Sequence, residues 1–164
     1  MPFAEKSESL SGWGRYHPAA CRVFRPETRP GLMALLDSDL ATSWLARGLG
    51  RSYGDTAVNA AGAVVDMTRL NRMRSFDPET GVLECEGGVS LSEILEAFVP
   101  RGWFPPVVPG TRFVTVAGAV ANDVHGKNHH VDGSFGNFVE SVELWTPGHG
   151  VITCSPAEEP ELFW

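Results

Sequence analysis

No stretch of the 164-residue chain is apolar over the about eighteen residues that a membrane-spanning helix needs. Basic residues are scarce, 13 Lys and Arg against 20 Asp and Glu, which leaves a net charge of −7. That sign disfavours non-specific binding to nucleic acid. The opening MPFAEKSESL lacks a basic stretch followed by an apolar one, so no secretory or twin-arginine leader is expected. Cysteine is limited to Cys21, Cys85 and Cys154, an odd number set far apart. This excludes a disulfide framework and fits reduced thiols in a cytoplasmic protein. Internal repeats and a Pro/Ser-rich linker are missing too.

What is present is a globular apolar fraction, 43%, in a chain long enough for a real core. Residues up to about 23 are polar and read as a lead-in arm. Residues 26–36 read as a loop entering a short helix with Leu32, Leu35 and Leu36 on one face. Short strands are expected at 43–47 and 63–67, and a hairpin at 73–76 and 82–86 around the turn DPETG. Ser90 with Glu93 forms a capping-box signature ahead of a helix whose apolar face is Leu91, Ile94, Leu95 and Phe98. Pro100 and Gly102 close that helix. A small-residue helix starts at Thr115. Residues 139–145 and 151–153 pair as strands across PGHG. Glu84 and Glu86 read as solvated, Cys85 between them as core, and the five tryptophans as packing residues. The pattern is α+β without regular βαβ alternation, with a lobe boundary near 100–110.

Two segments do not resemble core. Residues 115–137, TVAGAVANDVHGKNHHVDGSFGN, mix glycine with three histidines and a lysine. Glycine allows positive φ and close backbone approach, while His, Lys, Asn and Asp supply polar groups for a ligand. Residues 46–55, ARGLGRSYGD, follow an expected strand. Gly48, Gly50 and Gly54 are spaced so that successive N–H groups can turn inward as a pyrophosphate nest. Ser52 and Tyr53 add hydroxyls, and Arg47 and Arg51 either offset anionic charge or point to solvent. The dinucleotide fingerprint fails because the third glycine comes one residue late and no helix follows. The triphosphate loop fails because Gly126-Lys127 is followed by Asn128, and position 121 is alanine. A plain glycine-rich turn between strands remains open.

For the histidines three readings stand. His125 and His129 have the i, i+4 spacing of a metal pair, with Asp123 and Asp132 as further ligands, but Gly126 interrupts the pair and no complementary Cys or carboxylate follows. No metal is therefore expected. They can be exposed loop residues. Or a His or Lys stabilises negative charge on a reduced flavin, with a bare helix N-terminus at Thr115, Val116, Ala117 and Gly118 facing a phosphate.

ARGLGRSYGD, then VVDMTRLN, then VVPGTRFVTVAGAVANDVHGKNHHVDGSFGN, in this order and spacing, resemble the PCMH-type FAD-binding domain of the vanillyl-alcohol-oxidase-like flavoproteins. LSGWGR at 10–15 and HGKNHH at 125–130 place the resemblance in the branch that oxidises a polyprenylphosphoryl ribose. The resemblance implies two small α/β lobes and non-covalent FAD. The cofactor residues it implies begin with Ala46, Arg47, Gly48, Leu49, Gly50, Arg51, Ser52, Tyr53, Gly54 and Asp55 around the pyrophosphate. Gly110, Thr115, Val116, Ala117 and Gly118 would line the cofactor, and Asn122, Asp123, Val124 and His125 would lie beside the flavin. His125 and Lys127 are the implied catalytic pair. Ala117 departs from the family's usual Gly-Gly, and Asn122 from its usual small residue or Cys.

The implied reaction is oxidation of the ribose 2′-hydroxyl to a ketone. A short-chain reductase partner would complete an epimerisation that feeds cell-wall arabinan, and any membrane association would be peripheral. A sugar-alcohol or aldonolactone oxidase is the nearby alternative, and a non-catalytic metal- or nucleotide-binding fragment the distant one. The family continues into a substrate domain. EEPELFW starts a helix with no stop signal, so residues 1–164 are expected to be an incomplete FAD-binding domain, C-terminally truncated.

Overall fold

The computed structural model describes residues 3–164, which divide into two compact units. The first holds residues 3–104 and Thr111–Gly118; the second holds Pro105–Gly110 and Ala119–Trp164.

The first unit is built on a four-stranded sheet of order β1-β2-β4-β3. β1 (Glu5–Leu10) runs antiparallel to β2 (Ala19–Phe24), from Glu5 opposite Phe24 to Leu10 opposite Ala19. β3 (Trp44–Arg47) and β4 (Ala63–Asp66) are parallel to each other, and β4 is parallel to β2. β4 occupies an interior place because Ala63, Val64 and Val65 are apolar on both faces and fully buried. Side-chain alternation divides the core. Ala63, Val65 and Phe24 pack with Leu35 of α1 (Arg29–Leu36), and Val64 packs with Cys21 and Val23 on the other face. Helix α1 starts where Thr28 Oγ1 accepts the Gly31 N–H, with Pro30 in the first turn.

The expected lead-in arm is instead the strand pair β1–β2. β1, EKSESL, has no apolar alternation because it is an exposed edge, and charge serves it there: Arg22 pairs with Glu5 and Arg25 with Glu8. The hairpin of β5 (Met73–Phe76) and β6 (Leu83–Cys85) forms as read, with Asp77 accepting from Glu79 N and Thr80 Oγ1, and Gly81 at φ 79°. Glu86 is not solvated. Its carboxylate is largely covered, accepts the Arg72 N–H and lies 3.6 Å from both Arg72 and Arg74. Cys85 is half-buried; burial pushes its thiol up to about 11, and Glu84 and Glu86 add to the rise. Ser90 and Glu93 make the full reciprocal capping box at the start of α2 (Leu91–Phe98). A 3-10 turn, Val99–Arg101, and Gly102 at φ 86° end it. Phe98 and Trp103 pack on Phe76 at 4.5 and 5.3 Å between ring centres.

Helix α3 (Val116–Ala121) begins in the first unit and ends in the second. The second unit continues with α4 (His129–Asp132), a 3-10 turn (Phe135–Phe138), the hairpin of β7 (Val142–Thr146) and β8 (Gly150–Cys154), and α5 (Pro160–Phe163). The β7–β8 pairing joins Val142 to Cys154 and Thr146 to Gly150 across the expected turn. All three cysteines are free.

Candidate functional site

In the first unit β3 delivers the chain into the loop 48–55. The loop turns on Gly50 and Gly54, both at φ 65°. Four of its carbonyls are engaged: Leu49 O accepts from Arg51 Nη1, Ser52 O from Trp13 N, Tyr53 O from Thr56 Oγ1, and Asp55 O from Val58 N. Its N–H groups are not. Among the described residues, no backbone N–H from Leu49 to Asp55 donates to a protein acceptor. A loop with four carbonyls taken and its backbone donors from 49 to 55 left over has the polarity of an anion site. Arg51 Nε is also buried without a partner.

Close approach shapes the same loop. A Cβ at Gly48 would collide with Thr115 Oγ1 and stand 3.0 Å from its Cγ2, and one at Gly50 would collide with the Arg47 guanidinium. Only glycine lets the loop lie against the start of α3. Tyr53 projects into solvent at 75% exposure, and Gly54 and Asp55 are exposed. These features fit a pyrophosphate-bearing cofactor.

Two expectations need correction. Arg47 is no free counter-charge: its Nη1 donates to Ala57 O at 2.6 Å and its Nη2 to Ser11 O at 2.8 Å, so it ties the loop's two flanks together. The N-terminus of α3 is not bare. Val116 N donates to Val89 O, Ala117 N to Gly87 O, and Gly118 N to Thr115 Oγ1. The segment that precedes α2 lies against this first turn and takes up its donors before a phosphate can. The Ala117 methyl is accommodated beside Gly87, where a Cβ would stand 2.8 Å from it.

The second unit carries the histidine turn. α3 ends in a Schellman arrangement: Asp123 N donates to Val120 O and Val124 N to Ala119 O. Asp123 takes the left-handed position at φ 38°, and its Oδ1 accepts the Gly136 N–H at 2.9 Å. Asp123 and Val124, expected beside the flavin, thus also close a helix. His125 bridges Ser134 through its backbone. Gly126 is buried, with room for no Cβ against Val108 O at 2.9 Å. Asn128 holds the turn by donating to Pro106 O and Asp132 Oδ2. His129 Nδ1 lies 3.0 Å from Gly126 O, which can only accept, so the proton sits on Nδ1. The rings of His125 and His129 meet edge-on at 5.1 Å, and those of His129 and His130 at 5.8 Å. Gly110, His125 and Lys127 are exposed, as is Asn122. Among the described residues no group of three or more His, Cys, Asp or Glu is placed to hold a metal ion.

One group escaped sequence reasoning. Trp13, read as a packing residue, is 51% exposed with the Arg51 guanidinium 4.7 Å from its ring centre. The available signal was the Gly12-Trp13-Gly14 setting, in which an aromatic is flanked by residues that allow close backbone approach.

A donor-rich glycine turn after a parallel strand, in a mixed α and β scaffold, fits a domain that holds a phosphate-bearing cofactor. A family model described as FAD binding domain matches residues 23–155, and the chain belongs to that family. Its fold is the α+β, PCMH-type FAD-binding fold, and its cofactor is FAD. The chain is 44% identical over 166 residues to decaprenylphosphoryl-β-D-ribose oxidase of Mycolicibacterium smegmatis, a match covering 99% of this chain and 36% of that one. It is 24% identical over 166 residues to L-galactono-1,4-lactone dehydrogenase 1 of Oryza sativa subsp. japonica, covering 99% and 28%. Cholesterol oxidase from Brevibacterium sterolicum shares the fold at TM-score 0.73 and 18% identity, covering 93% of this chain and 32% of that structure. The chain thus spans about a third of the length of these relatives.

Proposed function

We propose that the chain is the FAD-binding part of an oxidoreductase that oxidises the 2′-hydroxyl of a polyprenylphosphoryl ribose to a ketone. The observation that carries this reading is the 44% identity, over 99% of the chain, to an oxidase named for decaprenylphosphoryl-β-D-ribose. The donor-rich loop supports the cofactor half of it: Gly48, Gly50 and the N–H groups around Arg51 and Ser52 hold the pyrophosphate non-covalently. FAD, when bound, accepts a hydride from the substrate carbon. His125 takes the hydroxyl proton, and Lys127 next in line balances negative charge. Both are exposed on a turn that Asn128, Gly126 and His129 hold in shape. Asn122, Asp123 and Val124 position that turn by ending α3.

The ketone would pass to a short-chain reductase partner that returns it to the inverted alcohol, a step toward a cell-wall arabinan precursor. The free cysteines suit a cytoplasmic site of action, and a polyprenyl substrate would bring it to the membrane surface, reached peripherally. No helix among the described residues is long and apolar enough to cross a membrane. The similarity to a lactone dehydrogenase favours a second reading, an aldonolactone or sugar-alcohol oxidase.

The test uses the full-length protein. Denaturation should release free FAD into a filtrate. His125→Ala should keep the flavin spectrum and lose turnover of polyprenylphosphoryl ribose by about a hundredfold or more. Full turnover with flavin in place would remove His125 from the mechanism, and turnover of an aldonolactone alone would favour the second reading.

A further inference from the structure

The segment 11–13 lies outside the family match, which begins at residue 23, yet it holds the pyrophosphate loop at several points. Trp13 N donates to Ser52 O at 2.8 Å. Ser11 O accepts from Arg47 Nη2 at 2.8 Å. Gly12 passes so close that a Cβ there would collide with the Gly54 carbonyl and stand 2.8 Å from Ser52 O. The Trp13 ring receives the Arg51 guanidinium at 4.7 Å, while Arg51 Nη1 donates to Leu49 O within the loop. Arg51 Nε is buried without a partner, so these two contacts fix the guanidinium as a whole. The turn beyond the strap is strained: Arg15 and His17 are left-handed at φ 54° and 49°, and Gly12 O accepts the Arg15 N–H. Strain persists only where surrounding contacts over-determine the backbone.

We infer that residues 11–13 are a strap for the FAD pyrophosphate, and that Trp13 is a positioning residue that aims Arg51 at it. The strap engages the Ser52 carbonyl through Trp13 N and stacks the one loop cation through the indole, so the loop's N–H groups stay turned out as a set. Because Trp13 is half exposed, removing its ring opens no core cavity. The inference rests on the FAD reading.

The experiment measures the FAD dissociation constant of the full-length protein by flavin fluorescence, a readout independent of turnover. Trp13→Leu, apolar without an aromatic face, should weaken FAD by about tenfold, the scale of one partly desolvated cation–π contact. Trp13→Phe, which keeps a ring face, should stay within about threefold of wild type. Arg51→Lys should weaken FAD too, and adding Trp13→Leu to it should cost little more, because the two act as one unit. Equal affinity in Trp13→Leu and Trp13→Phe, or additive losses in the double variant, would overturn the strap. A wild-type protein that takes up no FAD overturns the cofactor reading and the strap with it. If Trp13→Leu fails to fold, Trp13→Met, also apolar without an aromatic face, takes its place in the same cycle with Arg51→Lys.

Discussion

Gly48 and Thr115 meet where the loop crosses the first turn of α3, and the fit leaves no slack. A Cβ at position 48 would collide with Thr115 Oγ1 and stand 3.0 and 3.2 Å from its Cγ2 and Cβ. Thr115 is only 3% exposed, and its Oγ1 already accepts the Gly118 N–H, so it cannot swing aside without opening the turn. The loop must move instead, and with it the N–H groups proposed to meet the pyrophosphate. Gly48→Ala should therefore weaken FAD by more than about tenfold, as a shifted set of donors loses well over one net hydrogen bond. Thr115→Ala in the same chain removes the two nearest atoms and should recover part of the loss. Titration of FAD into both variants checks this. No recovery in the double variant would place the fault in the loop's own backbone. The same crowding explains why glycine spacing signals the loop in the sequence, whereas Thr115, its partner, looks like any helix-start threonine until the fold brings it near.

Between elements, Arg25 joins three strands. It follows β2 and donates to Asp66 Oδ2 at the end of β4 (2.7 Å) and to Glu8 Oε2 on β1 (2.9 Å). Burial pushes the Asp66 carboxyl up, but its bonds from Arg25 and from both donors of Thr68 outweigh this and hold it below the usual 3.8. A carboxyl depressed in the folded state stabilises the fold above its unfolded value, and that contribution is lost as the pH falls through the folded value. The sheet should thus be indifferent to pH near neutrality and lose melting temperature below about pH 4. Asp66→Asn, which leaves an acceptor for Thr68, should lower stability at pH 7 and flatten that acid limb. An acid limb of unchanged slope in Asp66→Asn would assign the loss to other carboxylates. Legibility varies from element to element for physical reasons. α2 is readable because Ser90, Glu93 and the 3.6-residue apolar spacing all report it locally. β4 is readable because an interior strand must be apolar throughout. β1 is hidden because an edge strand makes its case through backbone pairing and cross-strand charge, neither of which leaves a hydrophobic period. α4 is hidden because a single turn held by Asn128 and Gly126 depends on Pro106 and Val108, more than fifteen residues away in sequence.

At the scale of the whole chain, these 164 residues of net charge −7 belong to a domain that binds an anionic cofactor. Its long-range field repels the pyrophosphate, so attraction must be local: uncharged N–H dipoles of the loop and the single Arg51 guanidinium, with Arg47 already turned inward to Ala57 and Ser11. Salt screens distant charges more than near, partly buried ones. Raising ionic strength should then relieve the repulsion while leaving the loop's dipoles almost untouched. The affinity for FAD should hold or tighten between about 20 and about 200 mM salt, in the opposite sense to a site built on a basic groove. Titration of FAD at both salt concentrations distinguishes the two. A steep fall with salt would mean that cations, not backbone donors, hold the cofactor, and would move the weight of binding from the N–H groups of 49–55 to the arginines around them.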